Sequence, residues 1–268
     1  IKAKTTKATP PGGDLTEEGV PIPGGFYYVG GTINEGVVIS DNSEDKGKGT
    51  SHQVAQNLKG NQFVWVPVSN VNTMFVEEKV KLSGVTTTTN IYSKLRIRQN
   101  ENHHAGKPGT SMQREPDLAS GIDMDAKYYK TILGYNSAKV MADTFVAEYK
   151  SMYESIKRYN GFYIGRYELT GTITNPTSKA GTVLCEKLWY EFKKACNNVI
   201  NNNQNVKSTM IYGCQWDETM NWLKNTKFKG QTDKVDVDSS SWGNYTNQEP
   251  TSGLNEGRRV NNIYDLAG

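Results

Sequence analysis

The chain has 268 residues, enough for one large domain or two small ones, and hydrophobic residues make up 35% of it. Its 31 basic and 28 acidic residues give a formal charge of +3, which provides no electrostatic reason to expect binding to nucleic acid or to an anionic membrane. No apolar stretch approaches the roughly 20 residues that cross a bilayer, so the sequence predicts no transmembrane segment.

Residues 1–22 have the composition of a flexible linker. They are rich in Lys, Thr, Pro and Gly and have no periodic apolar face. The sequence starts at Ile1 without a methionine, which indicates a processed or trimmed end. We therefore expect a tether that holds one folded domain, residues 23–268, away from whatever precedes it.

Short β-rich runs follow the linker. GFYYVGG (25–31) and GVVIS (36–40) predict two strands joined by a turn. The polar segment 41–60 is predicted to be an exposed loop. The apolar run in NQFVWVPV (61–68) predicts a strand that is buried on both faces, and Pro67 suggests that it ends at a sheet edge.

The middle of the chain combines a polar excursion with helical patterns. Residues 69–125 are predicted to form a long insertion with short strands around Phe75–Leu82 and Ile91–Ile97. Apolar residues then recur at intervals of three and four, which predicts helices over Ser137–Arg158 and Val183–Ile200.

Two further elements are predicted beside these helices. The apolar and aromatic run GFYIGRYELTG (161–171) predicts a central strand. A shorter helix is expected from Asp217 to Leu223, with Asp217 as its N-cap.

The three cysteines do not form a recognisable metal pattern. Cys185 and Cys196 fall on one predicted helix, where about 16 Å would separate their backbones, too far for a disulfide. A Cys196–Cys214 bridge stays open on spacing alone. The preferred interpretation is that all three are small buried hydrophobic residues.

Five sequence blocks occur in an order that resembles the formylglycine-generating enzyme (sulfatase-modifying factor) family. They are GFYIGRYELT (161–170), the helix around Trp189–Cys196, CQWDETMNWL (214–223), SWGNY (241–245) and NNIYDLAG (261–268). The resemblance implies an α+β, C-type-lectin-like fold, with a twisted mixed sheet, two main helices and ordered loops. Residues 69–125 match poorly, and the family signature normally continues beyond Gly268, which suggests a truncated C-terminus.

The same resemblance argues against catalysis. The catalytic cysteine pair of the copper-dependent members lies after the block at which this sequence stops, and three histidines do not supply the triad of the iron-dependent members. Other members are non-catalytic binding proteins, among them receptors diversified by retroelements. The chain is therefore predicted not to be an enzyme and to require no cofactor.

Candidate binding residues lie in the late loops, where aromatic, amide and arginine side chains favour recognition. They are Trp242, Asn244, Tyr245, Asn247, Arg258 and Arg259. Trp242 and Asn244 also belong to a structural turn of the family, so a packing role is open for both.

A structural calcium site is implied by the family at the last block. Its ligands would be the carboxylate of Asp265 and the carbonyl of Gly268. Because calcium takes six to eight oxygens, these two alone cannot hold it, and a turn-capping role for Asp265 is the alternative.

Together these features predict an exported ligand-binding module of the adhesion or receptor type, located outside the cell or on its surface. Its ligand would be a protein or carbohydrate on another surface, and a further segment or subunit could complete its C-terminal part. The alternatives are a structural or tip subunit of a surface fibre or pilus, and a copper-dependent oxidase whose catalytic part is missing.

Overall fold

A computed structural model of the chain describes residues 8–71, 80–82, 85–87, 126–226, 242–243 and 251–266. They divide into two units, Ile1–Ser69 with Ile156–Gly268 and Asn70–Ser155. The described part is mixed α and β, with several small antiparallel sheets and few helices. The predicted combination of α and β is confirmed at that level.

The strands are β1 (Asp14–Leu15), β2 (Pro21–Ile22), β3 (Tyr27–Gly30), β4 (Val38–Ser40), β5 (Gln62–Pro67), β6 (Val80–Leu82), β7 (Val85–Thr87), β8 (Gly161–Gly165), β9 (Thr170–Gly171), β10 (Pro176–Thr177), β11 (Gly181–Thr182), β12 (Thr251–Ser252), β13 (Arg259–Val260) and β14 (Ile263–Tyr264). The α-helices are α1 (His52–Gln56), α2 (Ala126–Thr131), α3 (Ala138–Tyr159), α4 (Trp189–Asn198) and α5 (Gly213–Asn225). Short 3-10 helices cover Ser43–Asp45 and Glu256–Arg258. Among these helices, none is both long enough and apolar enough to cross a membrane.

The largest sheet has four antiparallel strands in the order β3-β4-β5-β8. The predicted β3–β4 hairpin is confirmed, and Val64, Trp65 and Val66 of β5 are buried as expected. Two placements were wrong. Strand β5 is interior, and its Pro67 is tolerated because β5 runs past the end of β4 there, so no ladder bond is lost. Among the described strands, β8 is at an edge of the sheet and not in its centre.

The core of the first unit packs against this sheet. Val20, Val37 and Trp65 form one buried cluster, and Ile22, Phe26 and Ile39 form a second. The Tyr163 ring contacts both clusters, and its hydroxyl donates to the Pro21 carbonyl at 2.8 Å. Burial raises the pKa of Tyr163 well above its ordinary value.

The predicted tether is part of this core over residues 8–22. Strands β1 and β2 pair, Val20 is fully buried, and the Asn203 side chain donates to the Gly24 carbonyl just beyond. A few apolar side chains anchor a segment whose average composition is that of a linker. Residues 1–7 lie outside the described part.

The segment 41–60 is folded, contrary to the exposed loop that its polarity predicts. Its centre is Asp45, which is fully buried and accepts hydrogen bonds from the Ser40 hydroxyl at 2.7 Å and from the backbone N–H groups of Lys59 at 2.9 Å and Gly60 at 2.8 Å. A buried carboxylate that gathers several donors can organise a loop of otherwise polar residues.

The helices agree with the periodicity except at their starts. The predicted Ser137–Arg158 helix is α3. Helix α4 begins six residues after Val183, because Val183 bridges to Thr170 and the Leu184 N–H bonds to the Leu169 carbonyl. Helix α5 begins at Gly213, where the Gln215 side chain accepts from the Tyr212 N–H, so Asp217 is not the N-cap.

All three cysteines are free. Cys214 is buried, Cys196 is half-buried and Cys185 is exposed before α4, so a buried hydrophobic role was wrong for Cys185. Burial raises the pKa of the Cys196 thiol, against the attraction of Lys193.

The second unit contains the β6–β7 hairpin, α2 and most of α3. The end of the predicted Phe75–Leu82 strand is β6. The rest of that strand and the Ile91–Ile97 strand lie outside the described residues.

Candidate ligand-binding surface

A fully buried arginine connects the end of β8 to the last hairpin. Arg166 donates from Nε to the Asn262 carbonyl at 3.1 Å, from Nη1 to Gln62 Oε1 at 2.8 Å and from Nη2 to the Thr50 carbonyl at 3.0 Å. Burial lowers the pKa of Arg166, yet a guanidinium starts so high that it stays charged at neutral pH. Three separate segments are thus tied to one cation.

Tyrosine rings take the place that a carboxylate occupies beside many buried arginines. The Arg166 guanidinium lies 5.9 Å from the Tyr167 ring centre and 5.6 Å from that of Tyr264, and these two rings are stacked at 5.2 Å. Cation–π attraction strengthens when the groups are out of water. We call Arg166, Tyr167 and Tyr264 the arginine–tyrosine cluster.

The β13–β14 hairpin is held at its tip and in its strands. Asn261 and Asn262 have φ angles of 48° and 67°, the positive values that a two-residue type I′ turn requires. The side chains of these residues donate to the carbonyls of Asn34 at 3.0 Å and Gly36 at 2.8 Å. The Tyr264 hydroxyl lies 3.1 Å from His52 Nδ1 at the start of α1.

Two carboxylates lie beside the cluster. Asp265 is buried, with a φ of 51°, and its Oδ2 accepts from the Ser252 hydroxyl at 3.1 Å and the Gly253 N–H at 2.8 Å. The same Ser252 hydroxyl accepts from the Glu168 N–H at 3.2 Å. Burial, with repulsion from Asp265, raises the pKa of the Glu168 carboxyl to about 7.

The raised pKa of Glu168 predicts how stability depends on pH. The folded state holds a proton that the unfolded state releases near pH 4, so Glu168 favours folding at low pH and loses that effect as the pH rises towards 7. We expect Glu168→Gln to be more stable than the wild type at pH 8 and equal to it at pH 4, in thermal unfolding at both values. The exposed Glu154→Gln serves as control, and an unchanged difference across this range would contradict the assignment.

The exposed part of the region is the loop between β12 and β13. Leu254 is 54% exposed, and Arg258 and Arg259 are half-buried. Arg259 donates from Nη1 to the Thr50 carbonyl at 2.8 Å, pairs with Glu256 at 3.2 Å and lies 6.0 Å from the Tyr264 ring centre. We call residues 254–259 the 254–259 surface.

The turn before this surface requires glycine. Gly253 has a φ of 85°, and a Cβ there would lie 2.4 Å from the Tyr167 ring. The Gln56 side chain of α1 donates to the Gly253 carbonyl. The close approach of the Gly253 backbone to the Tyr167 ring therefore determines where the 254–259 surface begins.

The predicted binding residues separate into three groups. Arg258 and Arg259 lie together at the 254–259 surface. Trp242 is only 3% exposed, so its packing alternative agrees with the structure and a place on an exposed binding surface does not. Asn244, Tyr245 and Asn247 lie outside the described residues.

The predicted calcium ligands are only partly described. Asp265 caps the turn at Gly253, as the alternative interpretation proposed, and Gly268 lies outside the described residues. Within the described ranges, no group of three His, Cys, Asp or Glu residues is placed to hold a metal ion. The calcium site stays a prediction.

Sequence patterns did not indicate a role for Leu254, His52 or Glu168 in this region. Leu254 is a single apolar residue in a polar loop, and His52 reaches Tyr264 across 212 residues of chain. Glu168 is part of the sequence block 161–170, but its raised pKa depends on burial and on Asp265, and its N–H bonds to Ser252. Both residues belong to the segment 252–265, which is distant in the sequence.

Comparisons with protein-family models, with curated proteins and with solved structures find no match to this chain.

Proposed function

We propose that this protein is an exported, non-catalytic module that binds a protein or carbohydrate ligand on another surface, and that it does so with the 254–259 surface. The observation that carries the proposal is the fixed position of Arg259. Its guanidinium is held by a carbonyl, a carboxylate and a ring while 24% of its side chain stays exposed. Binding to a side chain that is already ordered avoids most of the entropic cost of ordering it.

The composition of the surface suits recognition. An exposed leucine beside two arginines combines an apolar contact with planar donors that fit carboxylates, carbonyls or hydroxyl groups. The rigid support comes from the arginine–tyrosine cluster beneath, which connects the hairpin to α1 and β8. Recognition loops on a rigid frame are a common arrangement in binding proteins.

The finer fold assignment is part of the same proposal. The mixed sheets and few helices are compatible with a C-type-lectin-like fold of the formylglycine-generating type, and the five sequence blocks support it. A non-catalytic member of that type, located outside the cell or on its surface, would use such loops for adhesion or as a receptor. The proposed structural calcium at Asp265 and Gly268 would then serve stability, not catalysis.

The test is a binding screen on defined probes. The purified protein is applied to a glycan array and to immobilised fibronectin and collagen. For any probe that binds, we expect Leu254→Ser and Arg258→Ser each to weaken affinity by about thirtyfold, the effect of losing a contact worth about 2 kcal/mol. Arg259 is left intact because it also stabilises the fold.

Lys207→Ser is the matched control, because this exposed lysine precedes α5 and is outside the 254–259 surface. Thermal unfolding of each variant verifies that folding is preserved. Binding that neither surface substitution weakens would show that another region is responsible. Absence of binding to every probe would also count against the proposal.

A further inference from the structure

The outer edge of the Arg259 guanidinium carries a weak internal partner. Glu256 and Arg259 are the first residue and the C-cap of a 3-10 helix, in which side chains three positions apart lie above one another. Glu256 Oε1 accepts from Arg259 Nη2 at 3.2 Å, longer than the roughly 2.7–2.9 Å that is usual between charged groups. The Glu256 side chain is 61% exposed and makes no other hydrogen bond with the described residues. Exposed pairs of this kind contribute little, so another carboxylate can replace Glu256.

The inner edge of the same guanidinium is held by the fold. Nη1 donates to the Thr50 carbonyl at 2.8 Å, and the guanidinium lies 6.0 Å from the Tyr264 ring centre. A guanidinium has five N–H donors in a planar fork, and a carboxylate fits that fork with both of its oxygens. A carboxylate that arrives from outside therefore meets an ordered Arg259, and it can bind with two oxygens where Glu256 uses one.

Positive charge is concentrated at this place. Arg166 and Arg259 donate to the same Thr50 carbonyl, at 3.0 and 2.8 Å, and lie 5.6 and 6.0 Å from the same Tyr264 ring centre. The three hydrogen-bond acceptors of Arg166 are neutral oxygens. Burial lowers the pKa of Arg166, and repulsion from Arg259 contributes. Two neighbouring cations that repel each other both attract an anion, so charge complementarity favours an acidic ligand.

Leu254 adds an apolar requirement to the same surface. The Asp265 carboxylate accepts from the Gly253 N–H at 2.8 Å, and the Asp265 N–H donates to the Arg258 carbonyl at 3.3 Å, so both ends of the loop meet at one residue. The 54% exposed Leu254 is thereby kept close to the arginines. An aliphatic side chain favours another apolar side chain, whereas sugars stack on exposed aromatic faces, and the Tyr264 ring here is buried. A peptide that is both acidic and apolar fits this surface better than a carbohydrate.

We propose that the 254–259 surface binds an acidic, apolar segment of a protein partner, in which a carboxylate replaces Glu256 on Arg259 and an adjacent apolar side chain covers Leu254. This inference rests on the proposed function, because it names the partner of the same surface.

The first test compares two peptide probes that differ only in charge. One is a short blocked peptide that alternates leucine with glutamate, and the other has glutamine in place of glutamate. We expect the acidic peptide to bind at least about tenfold more tightly in isothermal titration calorimetry, the effect of a hydrogen bond between charged groups. Equal affinities, or no binding of the acidic peptide up to about 1 mM, would overturn the proposal.

The second test removes the internal competitor. Glu256→Gln should bind the acidic peptide about threefold more tightly than the wild type, because no carboxylate of the chain then competes for Arg259, and should bind the glutamine peptide as the wild type does. Thermal unfolding verifies that the variant is folded.

Glu44→Gln is the matched control for this substitution. It changes the net charge by the same amount and removes an equally exposed carboxylate from an ion pair with Lys59, outside the 254–259 surface. An affinity for the acidic peptide that Glu256→Gln leaves unchanged, or that Glu44→Gln raises to the same extent, would contradict an exchange of carboxylates at Arg259.

A third comparison separates this inference from the proposed function. Leu254→Ser should weaken binding of the acidic peptide by about thirtyfold, as for any ligand of this surface. If the variant binds the peptide as well as the wild type does, the peptide lies elsewhere and the inference is wrong, while the glycan and protein screen still tests the proposed function. If the surface binds a neutral or uronic-acid glycan and neither peptide, the proposed function holds and the inference fails.

Discussion

Replacement of Arg166 by alanine lowers the free energy of unfolding by about 4 kcal/mol, near the upper end of single-substitution effects. The substitution leaves the buried Asn262 carbonyl without its donor, at a cost of about 1–3 kcal/mol, and removes a large, fully buried side chain whose space is left as a cavity. The Thr50 carbonyl keeps its bond from Arg259, and Gln62 Oε1 keeps its bond from the Tyr167 hydroxyl. It also removes the cation beside the stacked Tyr167 and Tyr264 rings. Urea unfolding at pH 7 measures the difference.

Two matched variants separate the effect of the Arg166 charge from the effect of its hydrogen-bond geometry. Arg166→Lys keeps the charge but cannot reach three acceptors with one ammonium group, so an intermediate loss is expected. Arg158→Ala removes an exposed arginine and should change stability by less than about 0.5 kcal/mol. A loss below about 1 kcal/mol for Arg166→Ala would mean that water or a neighbouring group replaces the guanidinium.

Replacement of Asp45 by alanine is expected to cost about 3 kcal/mol, because the part-buried N–H of Lys59, the buried N–H of Gly60 and the Ser40 hydroxyl all lose their acceptor. Burial alone would raise the pKa of Asp45, but these donors together lower it below its ordinary value. A carboxyl with a lowered pKa in the folded state stabilises the protein above its unfolded pKa and loses that effect as the pH falls.

The pH dependence of the free energy of unfolding separates the effect of the Asp45 charge from the effect of its side-chain shape. The wild type should lose stability as the pH falls below about 4, and Asp45→Asn should lack that part of the loss. Asp41→Asn is the control, because this exposed carboxylate on the same segment accepts only from Asn61. Equal effects of the two substitutions in urea unfolding at pH 3 and pH 7 would contradict a special role for Asp45.

Regular elements could be predicted from the sequence because their signals are local. The stripe on α3 and the apolar run of β5 reflect burial of residues close together in the chain. The starts of α4 and α5 could not be predicted in this way. They depend on contacts of Val183 and Gln215 that compete with or extend the helical pattern.

The candidate site was harder to predict for the same reason. Arg258 and Arg259 were recognised by residue type, but their support was not, because Thr50 and Tyr264 approach them only in the folded chain. The polarity of residues 41–60 also led to a wrong prediction, an exposed loop. The segment is folded because the buried Asp45 carboxylate accepts hydrogen bonds from polar groups such as the Ser40 hydroxyl and the Lys59 N–H. A charged residue can be the centre of a folded segment when its hydrogen bonds are complete.

The tip of the β13–β14 hairpin has a consequence for the order of folding. Its two asparagines bond to carbonyls more than 220 positions earlier in the chain, beside the β3–β4 turn. Contacts of such separation form slowly, since a long loop must close before they stabilise anything. During synthesis the carbonyls of Asn34 and Gly36 therefore lack these partners until residue 262 has been made, and a chaperone that shields the β3–β4 turn until then should increase the yield of folded protein.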